Sequence, residues 1–234
     1  GDGKGEQGNA HRQGNPPGKT PMLAREKVAP GCQRWGLQPR FRQPGRGPRG
    51  YNAAMPHAVS LADHFLIAMP SLADPHFVRG VTLICQHDES GAMGLVLNHR
   101  SEYNLDEVLR QMDIATDSTT LGRQPVLVGG PVQPDRGFVL HDDPRDFGAT
   151  LRFGDGLAVS TSREILQEMA RGEGPQRTLI TLGYAGWTAG QLEHELAQNA
   201  WLTVPADKAI CFECPLEQRW EAAARAIGVD ISRM

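Results

Sequence analysis

From Val59 onward, short apolar runs alternate with clusters of Gly, Pro, Asn, Asp and Ser. Runs at Phe65–Met69, Val81–His87, Ala92–Asn98, Pro125–Gly129, Gly137–His141, Thr150–Phe153, Leu157–Ser160, Thr178–Gly183 and Lys208–Phe212 predict strands, each short and bounded by turn-forming residues. Asp88 to Gly91 and Gly154 to Gly156 predict hairpin turns, because these residues tolerate the backbone angles a tight reversal needs.

Four segments change to helical spacing. Asn104 and Glu107 form a capping box that opens a helix to Met112, with Leu105, Val108, Leu109 and Met112 on one face. Thr161 and Glu164 open another, which reaches Arg171 and stops at Gly172. Thr188 and Gln191 open a third, to Ala200, in which Leu192 and Leu196 lie one turn apart. The fourth runs from Leu216 to Ile227, with Pro215 in its first turn and Gly228 as its cap. Hairpins with inserted helices, and no internal repeat, predict one α+β domain of mixed sheet over residues 59–234 rather than a repeated βαβ winding.

Residues 1–58 follow another pattern. They carry ten Lys/Arg against three Asp/Glu, a net +7, and 19 of them are Gly or Pro. Residues 59–234 carry fourteen against twenty-four, a net −10. The first segment is too poor in apolar residues to offset the entropy of ordering it, and is expected to be a disordered basic tail. Its densest stretch, Gly45 to Gly50, could hold nucleic acid non-specifically, but Met55 just ahead of the first apolar run is expected to be the natural start.

Composition narrows the function classes. No run of about 18 apolar residues is present, so no membrane-spanning helix is expected. The first residues lack the apolar core of a secretory signal, and four Cys in 234 residues make no disulfide scaffold, so a cytoplasmic location is expected. The acidic body is a poor match to phosphate backbones, and direct nucleic-acid binding by residues 59–234 is not expected.

Motifs for chemistry are incomplete. His194 with Glu195 starts like a zinc-protease helix, but the second His would stand at Gln198. Gly183 to Trp187 has the spacing of a nucleophile elbow at a strand-to-helix junction, yet its centre is Ala185. Cys211 and Cys214 precede a helix and form half of a zinc site or a redox pair; Cys85 and His87, two apart on a strand, could face the same way and complete it. The plainer reading makes Cys211 a small buried hydrophobe and Cys214 a strand-end residue. Ser162, His141 and Asp142 or Glu193 could be drawn as a hydrolytic set, although Thr161 and Ser162 are explained by capping. Gly129-Gly130-Pro131 is too short for a phosphate loop, lacks the Lys-Ser/Thr that should follow, and reads as a tight turn. No cofactor is expected. A ligand cleft or protein-binding face is the remaining functional reading, built from Arg136 and His141 flanking a strand and Tyr184, Trp187 and Trp201 bracketing the third helix.

Residues 61–230 resemble the YqgE/AlgH family, a bacterial group of largely unassigned function. The resemblance is carried by Phe65 to Pro70 with Asp74, Pro75 and Phe77, by Cys85 to His87, and by Gly91 to Gly94 through Asn98. It continues in Gly129 to Val132, Arg136 to His141, Thr161 with Ser162, Gly183 to Trp187, Gly190 to Glu193, Asn199 and Trp201 with Leu202. Two features depart from the family pattern: His99-Arg100 stands where a basic residue and Pro usually follow Asn98, and the Cys211/Cys214 pair is no family signature.

The resemblance implies a mixed sheet curled into a partial barrel and wrapped by about four helices. It implies no agreed catalytic residues, and one member's name reflects a proposed role in regulating alginate synthesis by transcription. The acidic helices (Asp106, Glu107; Glu193, Glu195; Glu217, Glu221) fit poorly into a DNA groove. The expectation is a non-enzymatic cytoplasmic binding or regulatory module, with a protein or small-molecule partner and no membrane role. Its surface comprises Gly129, Gly130, Pro131, Arg136, His141, Tyr184, Trp187, Glu193, Asn199 and Trp201. Direct DNA binding and a hydrolase or redox protein are the alternatives.

Overall fold

The structure, a computed structural model, describes residues 60–229; the expected basic tail and the Met55 start lie outside the described residues. Ten strands and six short helices follow one another: β1 His64–Ala68, β2 Val81–Asp88, β3 Gly91–Val96, β4 Arg100–Asn104, α1 Leu105–Gln111, α2 Thr119–Gly122, β5 Pro125–Val128, β6 Val132–His141, β7 Thr150–Phe153, β8 Leu157–Ser160, α3 Arg163–Arg171, β9 Thr178–Thr188, α4 Gln191–Ala197, β10 Trp201–Pro205, α5 Lys208–Phe212 and α6 Arg219–Arg225. A 3-10 turn at Leu216–Gln218 leads into α6.

Both expected hairpins form, Asp88 pairing with Gly91 and Phe153 with Leu157. In the first, the Asp88 carboxylate accepts from the Ser90 amide at 2.8 Å, the local bond that makes Asp a turn residue. The capping box of α1 is complete: the Asn104 side chain accepts from the Glu107 backbone, while the Asn104 amide donates to Glu107 Oε2 at 2.8 Å.

The strands join in the order β10-β1-β2-β3-β9-β6-β8-β7 by antiparallel pairs, with β5 pairing β9 in parallel and β4 pairing β5. Strand β9 is the common member, meeting β6 along one edge and β5 then β3 along the other. Side chains from strands far apart in this order meet in one cluster: Phe65, Leu83, Leu95, Phe138, Phe153, Val159 and Val204 pack together, closed by Ile210, Cys211, Trp220 and Ala223 of α5 and α6. Only a curled sheet allows this, so the sheet is a half-barrel, and α5 and α6 fill its inner face. The outer face carries two further clusters, one beneath α1 and α3 and one beneath α4.

Gly183 makes this double use of β9 work. Ile180 and Leu182 join the α1/α3 cluster, and regular alternation would send the odd-numbered residues inward. Gly183 instead adopts φ 72°, and Ala185 and Trp187 return to the outer face beneath α4 while Tyr184 turns inward. An extra residue in a strand flips its faces, and glycine adopts that φ without penalty.

Several expectations are corrected. Lys208–Phe212 is helix α5, not a strand: the Asp207 side chain accepts from the Ala209 amide at 2.7 Å and caps it, and a short apolar run has no period that separates the two states. Gly183 to Trp187 is strand throughout, not a strand-to-helix junction. The cap of α3 is Ser162 rather than Thr161, and α4 starts after Gly190 and ends at Ala197. Strands β4 and β10 and helix α2 were not expected, and the described residues hold six helices rather than about four.

Candidate functional site

The residues that the sequence groups as one surface fall on opposite faces of the sheet. Arg136 and Tyr184 are on the inner face. Residues Gln133 to Arg136 bulge out of β6, because Val132 pairs with Tyr184 and the next pair is Gly137 with Leu182. The bulge delivers the Arg136 guanidinium over the Phe138 ring, 5.5 Å from its centroid, with Nη2 donating to Thr161 Oγ1 at 3.3 Å. Tyr184 meets Phe138 edge-on at 5.7 Å. Burial pushes the Arg136 guanidinium down from its ordinary value, and the neighbouring Tyr184 phenol opposes that shift. A half-buried cation thus stands against a half-buried phenol, a buried phenyl ring and a buried hydroxyl on the inner side of the sheet. Gly186 lies beside them, and a Cβ there would press on the Tyr184 ring at 3.3 Å.

Gly129 and Gly130 are a crossing rather than a free turn. The Gly129 amide donates to Leu182 O at 2.8 Å, and its carbonyl accepts from Val96 N at 2.9 Å. A Cβ on Gly129 would lie 2.3 Å from Gly183 O, and one on Gly130 would lie 2.3 Å from Tyr184 C. Glycine is needed because two backbones touch, and Pro131 follows where the chain leaves the contact. This crossing fixes where Tyr184 stands.

Trp187 and Trp201 belong to the outer face and are buried with Phe77, which meets Trp201 edge-on at 5.4 Å. Both indole N–H groups donate to one oxygen, Glu195 Oε2, each at 2.9 Å, and Gln191 Nε2 donates to Oε1 at 3.0 Å. Glu193 accepts from His87 Nε2 at 2.8 Å. Asn199 sits at φ 57° just past α4, with its amide on Leu196 O, a helix-ending position that Asn tolerates. Trp187, Trp201 and Glu195 hold α4 to the sheet, so the two indoles are buried structural groups rather than surface anchors, whereas Asn199 is exposed at the end of the helix.

His141 is fully buried on the outer face. The Asp143 amide donates to its Nδ1 at 3.2 Å, so the proton is on Nε2 and is donated to Ser160 Oγ at 2.9 Å. Thr150 Oγ1 continues the chain at 2.7 Å. Burial pushes the imidazole down from its ordinary value. In this arrangement Ser160 accepts from the imidazole, so the histidine does not act as its base. Ser162 is elsewhere, donating to Phe147 O and capping α3, and Asp142 pairs with Arg177. The hydrolytic set does not assemble.

The zinc reading fails on the same kind of evidence. A register shift between Ile84 and Gln86 puts Cys85 in the inner cluster and sends His87 to Glu193 on the outer side. The rule that residues two apart share a face holds only for a regular strand. Burial raises the Cys85 thiol and pushes Cys211 up to about 12, which disfavours the free thiolate that a redox pair needs. Cys214 is a free thiol at the end of α5, and among the described residues no group of three His, Cys, Asp or Glu could hold a metal ion.

A family model described as AlgH-like matches residues 65–232. The chain belongs to the AlgH-like family. Among its AlgH-like relatives, a protein of Stenotrophomonas maltophilia (strain K279a), Smlt1098 of the group UPF0301, is 61% identical over 176 residues, which cover 75% of this chain and 94% of the relative. A UPF0301 protein of Xylella fastidiosa (strain M23) is 58% identical over 176 residues with the same coverages, 75% and 94%. The solution structure of the AlgH protein from Pseudomonas aeruginosa, 50% identical, aligns with a TM-score of 0.66 over 78% of this chain and 96% of that one. A crystal structure from Corynebacterium diphtheriae, DIP2367, shares the fold at 21% identity with a TM-score of 0.60, over 76% and 92% of the two chains.

Phe138, Thr161, Ser160 and Glu195 complete the two faces of this AlgH-like domain, and sequence reasoning did not place them in the binding surface. Phe138 and Ser160 read as ordinary strand residues. Glu195 had a signal, being the only carboxylate on α4 one turn from Gln191, but its value depends on Trp187 and Trp201 converging, which no local pattern reveals.

Proposed function

We propose that this AlgH-like protein is a non-enzymatic cytoplasmic binding and regulatory module working through the inner side of the half-barrel, with Arg136 and Tyr184 as its contact residues and the Gly129–Pro131 crossing as their support. The carrying observation is the half-buried Arg136 guanidinium laid over Phe138 beside Tyr184, an aromatic and cationic arrangement on a rigid scaffold. The way His141, Ser160 and Ser162 are engaged in structural bonds supports reading the domain as a binder rather than a hydrolase. No helix among the described residues is long and apolar enough to cross a membrane.

The test is a co-purification comparison between the full chain and an Arg136→Ala/Tyr184→Ala variant of unchanged melting temperature. Loss of at least one specific partner is expected. A variant that keeps every partner sinks the proposal. A parallel titration of mixed DNA with residues 55–234 is expected to show no saturable, sequence-selective binding; a specificity ratio near ~10³ would favour the transcription reading instead.

A further inference from the structure

We propose that His87 is an acid-sensitive latch on residues 60–62, just ahead of β1. Both ring nitrogens hold fixed roles. The Leu61 backbone N–H donates to Nδ1 at 2.9 Å, so Nδ1 carries a lone pair and no proton. Nε2 therefore carries the ring proton and donates to Glu193 Oε1 at 2.8 Å. The Ser60 hydroxyl adds a bond to the main-chain oxygen of His87 at 3.0 Å. The imidazole is only 5% exposed, so it joins three segments (residues 60–62, β2 and α4) out of reach of most water.

A second proton has one place to go, Nδ1, where it would face the Leu61 N–H. Two donors pointing at each other cannot bond, so the imidazolium and the Leu61 contact exclude one another. Glu193 is already in contact, and Asp88 follows His87 on β2. The other charged groups on the packed elements are engaged elsewhere: Glu195 by the two indoles, His194 by Gln198, and Asp63 by the Asp155 amide. Acid thus trades the Leu61 bond for a stronger Glu193 pair. The release stops within two residues, because Asp63 is held by its amide on Ile84 O at 2.9 Å and by its carbonyl from Ala206 N at 2.9 Å. What is freed is the short stretch of residues 60–62 ahead of that anchor. His141 has the same donor and acceptor pattern but is sealed beneath Phe147 and Thr150, where burial holds it neutral.

The experiment uses the full 234-residue chain. Amide exchange protection of Leu61 is measured by NMR against that of Asp63 between pH 7.5 and 5.5; a ratio of protection factors removes the intrinsic pH dependence of exchange. The ratio is expected to fall at least fivefold as the pH drops. In His87→Asn, whose Oδ1 stands near the place of Nδ1 and does not titrate, the ratio is expected to stay level. Leu61 protection that tracks Asp63 throughout overturns the latch, as does the same fall in His87→Asn. Ring ¹⁵N shifts at pH 7.5 supply a second reading: the Nε2–H form is expected, and the Nδ1–H form overturns the proposal.

Discussion

Removing the Glu195 carboxylate should cost far more than removing its neighbour two residues away. Glu195 Oε2 is the acceptor for both indole N–H groups of Trp187 and Trp201, whose side chains are 5% and 4% exposed. Glu195→Ala leaves two buried donors without a partner, at about 1–3 kcal/mol each, so about 2–6 kcal/mol in total. Glu193→Ala removes the acceptor of one donor, His87 Nε2–H, but that carboxylate is 46% exposed and its loss lets water reach Nε2, so the cost is about 1 kcal/mol or less. For a domain of this size each kcal/mol lowers the melting temperature by about 2–4 °C, so Glu195→Ala should fall by roughly 4–24 °C and Glu193→Ala by only a few degrees. Differential scanning calorimetry with urea titration gives both numbers. The mechanism has its own control. In a Trp187→Phe/Trp201→Phe background the donors are gone, and Glu195→Ala should cost less than about 1 kcal/mol. An equal cost in both backgrounds, or a Glu195→Ala protein as stable as Glu193→Ala, refutes the reasoning.

Other outcomes follow from the same structure. His141 is held below its ordinary 6.5 by burial, so its neutral form is favoured in the fold; that stability is present above about pH 6.5 and is lost as the pH falls through the lower native value. His141→Gln should therefore lose less melting temperature than the parent between pH 7 and 5, and an identical loss would exclude His141 as a source. Gly130→Ala meets the Tyr184 backbone at 2.3 Å and should destabilise by about 3 kcal/mol or more, whereas Gly172→Ala, at φ 78° with nothing within 4 Å, should cost about 1–2 kcal/mol; urea midpoints that rank them the other way contradict the crossing. Native protein treated with iodoacetamide at pH 8 should be alkylated at Cys214 well before Cys85 or Cys211, which peptide mass spectrometry resolves.

How far the sequence revealed this protein depends on how local each signal was. The hairpins at Asp88 and Gly154 and the cap of α1 were legible because each is closed by residues within a few positions of one another. Helix α5 was misread because Lys208–Phe212 is too short to show a period, and the cap that decides it is one Asp207 bond. Strand β10 was missed because its buried positions, Trp201 and Val204, follow from pairing with β1, more than a hundred residues earlier. The site divided for a similar reason. Tyr184 and Trp187 are neighbours in sequence, but one glycine at φ 72° between Leu182 and Tyr184 sets which side of the sheet each one reaches. Backbone irregularities at Gly183 and Cys85 decided the chemistry, and neither has a side-chain pattern that announces it.

The position of β9 in the chain also bears on how the protein is made. It binds β3, β5 and β6, all synthesised before it, so these three strands wait on the ribosome without their common partner until residue 188 has emerged. At about 5–20 residues per second, the gap between β3 and β9 leaves exposed apolar strands waiting for several seconds. A fold whose central strand arrives nearly last leaves its partner strands open to wrong pairing for that interval.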